Sequence, residues 1–225
     1  MTAVILQSRI DSSRLPGKAL LLLDGKPLVF RVMEALNHVD SDLRILACTD
    51  DSYSLFKPLA EDAGFMIHAG PKEDVLERYC QVIRKYSIKR VIRATGDNPF
   101  VFTDAASSIN SEASAINADY GGYKELPYGA GVESIDANAL LRAQQEAALA
   151  SEREHVCPYL YNHPELFKIH RPAAPLKWNH PGIRLTVDTA EDFDRAKALY
   201  SALKNEPDRH NGETIINIYY NIFKG

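Results

Sequence analysis

Nowhere in its 225 residues does the chain contain Gly-x-Gly-x-x-Gly or Gly-x-x-x-x-Gly-Lys-Ser/Thr. The first absence argues against a dinucleotide-binding turn and the second against a P-loop. Cysteine is scarce: Cys48, Cys80 and Cys157 are odd in number, widely spaced and free of any Cys-x-x-Cys pair. That excludes a disulfide framework and a cysteine zinc site and fits a reduced, cytoplasmic setting. Excess positive charge is missing too, with 26 Lys plus Arg against 30 Asp plus Glu and a net charge of −4, so a general nucleic-acid binder is excluded. The longest early apolar run, Ala19 to Leu23, is far too short to span a membrane, and Met1 leads into an apolar strand without a signal-peptide pattern. A soluble intracellular protein without a membrane partner is expected.

What is present alternates. Apolar, β-branched runs at Thr2–Leu6, Leu43–Cys48, Phe65–His68 and Arg90–Ala94 read as strands. Between them, helical periodicity covers Pro27 to Val39, Ser52 to Ala63 and Lys72 to Tyr86. Pro27 is suited to a first helical position. Strands separated by such helices imply right-handed crossovers and a mainly parallel, Rossmann-like sheet. A helix is expected from Thr103 to Asn117, a surface turn over Tyr120–Gly131, a strand at Val132–Ile135 and a helix at Ala137–Ala150. Another strand at Ile183–Val187, a helix at Ala190–Leu203 and an ordered tail at Glu213–Phe223 complete the pattern. With 45% hydrophobic residues the chain can bury one core. It reads as a single domain over 1–225, with a nucleotide-binding half at 1–117, a small substrate-selecting and dimerisation lobe at 118–182, and a return strand and helices at 183–225.

The loop Gln7-Ser8-Arg9-Ile10-Asp11-Ser12-Ser13-Arg14-Leu15-Pro16-Gly17-Lys18 places three cations and three hydroxyls directly after the first strand. Open α/β sheets bind ligands at strand C-terminal ends. Arg grips phosphate oxygens bidentately and Lys acts as a point charge, so this composition suits a polyphosphate; a solvated basic loop is the competing reading. Two acids also follow strands. Asp97 lies in Thr95-Gly96-Asp97-Asn98-Pro99 and Asp188 in Leu185-Thr186-Val187-Asp188-Thr189. If both strands share one sheet, the acids reach one rim and can hold Mg²⁺ beside phosphate oxygens. Alternatively Asp97 starts a turn and Asp188 caps the next helix, a position for which Thr189 is equally suited.

These three segments, with Thr49-Asp50-Asp51, Asp74-Val75-Leu76-Glu77-Arg78-Tyr79, Gly131-Val132-Glu133 and Arg153-Glu154-His155-Val156, resemble the cytidylyltransferase family of the spore-coat polysaccharide F type. That family is related to the synthetases that activate 3-deoxy-manno-octulosonate and sialic acids as CMP conjugates. The resemblance implies a three-layer α/β/α nucleotidyltransferase (GT-A-like) fold, a homodimer, CTP and Mg²⁺. It further implies that Arg9, Arg14 and Lys18 contact the triphosphate, with Ser8, Ser12 and Ser13 beside them, and that Asp97 and Asp188 hold the metal. Thr49 and Asp50 would contact cytosine or ribose, and Arg78 would reach the nucleotide unless it simply pairs with Asp74 one turn earlier.

The activity implied is transfer of CMP from CTP to an anionic acceptor, a sugar acid or phosphorylated sugar or polyol, for cell-surface polysaccharide synthesis. Glu133, His155 and Arg171 are the candidate acceptor contacts. Two other readings stand beside it. A GT-A glycosyltransferase would carry Asp-x-Asp at a strand end, yet the triplet Asp40-Ser41-Asp42 precedes a strand. A catalytically impaired binder is suggested by Asp11, an anion where relatives commonly carry Gly, which costs affinity for triphosphate unless it points outward or pairs with Arg9 or Arg14.

Overall fold

A computed structural model describes residues 1–224; Gly225, which closes the expected domain, lies outside the described residues. The first apolar run forms strand β1, Thr2–Gln7. Ala3 and Ile5 enter one core cluster and Val4 and Leu6 another, all fully buried. A period of two with both faces apolar is what a strand covered by helices on each side requires. After the polar loop and a 3-10 turn at Lys18–Leu20 comes a small ribbon of β2 (Leu22–Leu23) and β3 (Lys26–Pro27). Helix α1 is Leu28–Leu36; Pro27 stands just ahead of it because it also ends β3.

The alternation read from sequence then holds through β4 (Leu43–Thr49), α2 (Tyr53–Asp62), β5 (Met66–Gly70), α3 (Val75–Tyr86) and β6 (Arg90–Thr95). The Asp74 carboxylate caps α3 by accepting the Glu77 N–H at 2.9 Å, and Ser87 ends it at φ 53°. Next come α4 (Thr103–Ala115), β7 (Tyr120–Gly121), β8 (Glu133–Asp136), α5 (Ala137–Glu146), α6 (Ala150–His155) and α7 (Pro158–Asn162). The chain closes with β9 (Ile169–His170), α8 (Ala190–Leu203) and α9 (Gly212–Phe223).

One seven-stranded sheet runs β5-β4-β1-β6-β8-β7-β9. Strands β5, β4, β1 and β6 are mutually parallel, whereas β8 is antiparallel to β6 and β7. Core residues of α3 and α5 cover one face and those of α1, α2 and α4 the other, with a third cluster beneath α8 and α9. The result is the three-layer α/β architecture with a mainly parallel mixed sheet. All three cysteines are buried and free, as their spacing implies. No described helix is long and apolar enough to cross a membrane.

Two expectations need correction. The stretch 120–131 is not wholly a surface turn: Tyr120 and Gly121 are buried in the sheet, where a Cβ at position 121 would sit 2.6 Å from the Ala113 Cβ of α4. Ile183–Val187 is extended but is not a strand of the sheet. Strand β6 is already flanked by β1 and β8, so this segment bonds to loop ends instead, Leu185 N–H to the Tyr128 carbonyl and Val187 N–H to the Asp97 carbonyl, both at 2.8 Å. The Asp40-Ser41-Asp42 triplet lies at the opposite end of β1 from the cleft described below, with Asp42 accepting the Thr2 N–H at 2.7 Å.

Acid stability should fall in two stages. Burial, with His38 and Arg209 nearby, lowers the His210 pKa from 6.5 to about 4. Its stabilisation is therefore complete above pH 6.5 and is lost between there and about pH 4, as protons bind the unfolded chain first. Burial pushes Asp192 up, but the Arg184 and Arg195 guanidiniums outweigh it and hold its pKa at about 2, against 3.8 unfolded. That contribution is present above pH 3.8 and disappears as pH falls toward 2. Urea midpoints at pH 7, 5 and 3 should decline at both steps, and His210→Gln should flatten only the first.

Candidate functional site

A cleft of about 420 Å³ opens at the C-terminal ends of β1 and β6, where Gln7 and Thr95 are register neighbours. That volume is ample for a nucleotide-sized ligand. Gly96 lets the β6 end close on the loop: a Cβ there would lie 2.6 Å from the Ser8 Oγ. On the far wall, Gly129 at φ +94° presses against the 183–187 segment, where a Cβ would meet the Thr186 N at 2.6 Å and the Asn98 side-chain oxygen at 2.9 Å. Any larger residue at either position would push the walls apart.

The loop after β1 supplies Ser8, Arg9, Ser12, Arg14 and Lys18 to the cleft wall; Ser13 is exposed and is not part of it. Lys18 is the centre of the arrangement. Its ammonium donates to Asp97 Oδ2 at 3.0 Å, to Asp188 Oδ1 at 2.9 Å and to the Val187 carbonyl at 2.8 Å. Arg14 lies 2.9 Å from the same Asp188 oxygen, and Arg184 donates to the other at 2.8 Å. Asp97 is oriented through its second oxygen, which accepts from the Thr95 hydroxyl at 2.7 Å. Burial raises the Asp188 pKa, yet Lys18 and Arg14 together with Arg184 hold the carboxyl below its ordinary value. Both acids are thus brought to one rim.

Asp188 does not cap α8. Thr189 does, its Oγ1 accepting the Asp192 N–H at 3.2 Å while the Asp192 carboxylate accepts the Thr189 N–H at 3.3 Å. Asp192 also ties Arg184 and Arg195 beneath Asp188. Among the described residues no group of three or more His, Cys, Asp or Glu side chains could enclose a metal. The donor set fits a hard divalent cation that takes one or two protein carboxylates and completes its shell with phosphate oxygens and water. A cationic ammonium already lies within 3.0 Å of both carboxylates.

Several expected contacts are used elsewhere. Arg78 is 2% exposed and lines the cleft's base, but its guanidinium donates to the Pro71 carbonyl at 2.6 Å and to the Lys72 carbonyl at 3.2 Å, and Asp74 pairs with Arg153. It braces the turn before α3 because those carbonyls lack other donors. Thr49 is buried and Asp50 exposed, and neither lies on the cleft wall. The Thr49 hydroxyl meets Asp51 and Ser52, and the Ser52 Oγ in turn accepts the Ile10 N–H at 3.1 Å, so this cluster clamps the loop after β1. Arg171 is exposed, its guanidinium 5.2 Å from the Tyr161 ring centre, away from the cleft. Glu133 is absent from the cleft wall; it binds Arg93, Tyr120 and Cys157. His155 does reach the cleft, from the C-terminal end of α6.

Arg93 and Arg184 escaped the sequence reading. Arg93 lines the cleft two residues before Thr95, on the same strand face, so period-two alternation carried the signal. Arg184 sits one turn's spacing before Asp188 in a segment with no helical pattern and left no such trace.

Asp11 does not face the cleft. It pairs with Lys72 and lies 3.9 Å from Arg9, with its side chain 41% exposed. Asp11→Gly should therefore change triphosphate affinity, measured by calorimetry, by less than about fivefold, because exposed pairs contribute only about 0–1 kcal/mol.

The family model described as "Cytidylyltransferase" matches residues 3–220. The chain is 34% identical over 218 residues to the spore coat polysaccharide biosynthesis protein SpsF of Bacillus subtilis (strain 168), covering 94% of this chain and 91% of that one. In fold it is similar to a cytidylyltransferase from Leptospira borgpetersenii serovar Hardjo-bovis (strain JB197), with a TM-score of 0.87, 22% identity and coverage of 99% and 94%. It also resembles a CMP:2-keto-3-deoxy-manno-octonic acid synthetase solved in complex with CTP, with a TM-score of 0.69, 16% identity and coverage of 89% and 98%. A nucleotidyltransferase fold with its cations and acids at one rim, matched by the family model over nearly its whole length, makes this chain a member of the cytidylyltransferase family.

Proposed function

We propose that the protein transfers CMP from CTP to a hydroxyl of an anionic acceptor, a sugar acid or a phosphorylated sugar or polyol, and releases pyrophosphate. The observation that carries this reading is Lys18 bridging Asp97 and Asp188 inside a cleft edged by Arg9 and Arg14. In the reaction the acceptor oxygen forms a bond to the α-phosphorus, the bond from that phosphorus to the β-bridging oxygen breaks, and the electron pair leaves with pyrophosphate. Arg9, Arg14 and Lys18 hold the β- and γ-phosphates in line and neutralise the leaving group; Ser8 and Ser12 donate hydroxyls. Asp97 and Asp188 would hold Mg²⁺, which would supply Lewis-acid polarisation of the α-phosphate and a lower pKa for the attacking hydroxyl. His155, which also lines the cleft, takes the proton that the acceptor gives up.

Lys18 has two sets of partners in this scheme. Before nucleotide arrives its three donors are spent on Asp97, Asp188 and Val187. Triphosphate oxygens compete for that ammonium and for Arg14, and the carboxylates are released as they do. Release of Asp97 and Asp188 would free their oxygens for a divalent cation. The polysaccharide role is supported by the likeness to the spore-coat relative, and we place the enzyme in the cytoplasm as a homodimer with residues 118–182 selecting the acceptor.

Pyrophosphate release measured with each nucleoside triphosphate, Mg²⁺ and a panel of sugar acids and phosphorylated polyols tests this. Turnover with CTP and at least one anionic acceptor is expected. Absence of CTP binding by calorimetry would overturn the reading.

A further inference from the structure

We infer that Arg93 is a specificity-determining residue that receives the oxyanion of the acceptor, a carboxylate or a phosphate. The inference rests on the cytidylyl-transfer reading and assigns a second anion subsite in the same cleft, distinct from the triphosphate loop. Arg93 lies on β6, central in the sheet, with its side chain only 14% exposed, and what is exposed lines the cleft. Directly across the antiparallel β6–β8 register stands Glu133, whose carboxylate takes one Nη1 proton. The Gln7 side-chain oxygen accepts from Nε at 3.2 Å and from Nη2 at 3.0 Å.

A guanidinium carries five N–H donors, and these contacts use three, leaving one on Nη1 and one on Nη2. Both terminal nitrogens thus keep a donor for a bidentate oxyanion. The shell behind makes the group rigid. Glu133 Oε1 accepts from the Tyr120 hydroxyl at 2.7 Å and its Oε2 from the Cys157 thiol at 3.4 Å, so the carboxylate cannot swing away. Such a group is pre-organised, and little rotamer entropy remains to be lost when a ligand binds.

Position separates this subsite from the nucleotide. Arg9, Arg14 and Lys18 all come from the loop after β1, whereas Arg93 lies on β6 itself, two residues before its end and four before Asp97, which stands in the turn that follows. A small sugar acid or polyol phosphate spans that interval once both side chains reach inward, with its hydroxyl at the acids and its oxyanion at Arg93. His155 and Glu154 also line the cleft and offer polar groups to the rest of the acceptor.

The test fills the nucleotide site first. Protein saturated with CTP and Mg²⁺ is titrated with inorganic phosphate in one arm and with 3-deoxy-manno-octulosonate in the other, by calorimetry. Wild type should bind at least one probe saturably, and which one tells phosphate from carboxylate acceptors. Arg93→Gln should weaken that binding at least tenfold with CTP affinity within threefold of wild type. Arg93→Lys keeps the charge but loses the fork, and should also bind the probe at least threefold more weakly; it decides the matter if Arg93→Gln does not fold. Neither probe binding to the wild type, both variants binding like wild type, or a loss confined to CTP would each overturn the assignment. Failure of CTP itself to bind would instead sink the cytidylyl-transfer reading.

Discussion

Asp188→Asn should lower kcat by about 10²–10³-fold, the loss seen when one preorganised electrostatic partner of a transition state is removed. The substitution keeps an oxygen for Lys18 and preserves volume, so the change is one of charge. It leaves Lys18, Arg14 and Arg184 converging on a neutral amide, with Asp97 alone to neutralise the Lys18 ammonium from a carboxylate. The metal concentration giving half-maximal rate should rise about 10–100-fold. Affinity for CTP without metal should hold or improve, because Arg14 and Lys18 are no longer held by a full negative charge. These opposite movements distinguish a metal-holding acid from a purely structural one. Turnover within threefold of wild type at saturating Mg²⁺ would show that Asp188 does not hold the metal.

Glu133→Gln should destabilise the fold by about 3–5 kcal/mol, because it strands the Arg93 charge in the sheet without its partner. Burial lowers the Arg93 pKa, but the adjacent Glu133 carboxylate outweighs this and raises it, while Arg93 holds Glu133 below its ordinary value against its own burial. Gln can still accept from Tyr120; it cannot offset the guanidinium. The double variant Arg93→Met, Glu133→Leu should recover more than half of the loss, since replacing both partners with apolar groups removes the uncompensated charge. Urea unfolding at pH 7 measures both. A cost below about 1 kcal/mol for Glu133→Gln would mean that water reaches the pair and that its orienting role is slight.

Particular elements show how far the sequence could be followed. The strands β1, β4 and β6 and helices α1 and α3 were legible because their apolar residues repeat at the period of the element they form. The place of the loop after β1 on the cleft wall was legible for a second reason: its cations and hydroxyls are adjacent in sequence and need only a strand before them. Glu133 was misplaced. A Gly-Val-Glu triplet says nothing of what lies across the β6–β8 ladder, and there the carboxylate is taken by Arg93. Arg78 lines the cleft, but its hydrogen-bond partners are main-chain carbonyls at Pro71 and Lys72, which carry no side-chain signature in the sequence.

By itself, then, the sequence determined the alternating α/β build, the absence of disulfides and the chemistry of the loop that begins at Gln7. These depend on neighbours a few residues apart. Only the tertiary structure decided that Lys18 meets Asp97 and Asp188, 79 and 170 positions away, that Asp188 arrives on an extended segment outside the sheet, and that Asp11 turns toward Lys72. Contacts at such separations are set by strand order and by which hydrogen-bonding edges remain free, and neither leaves a local pattern in the chain.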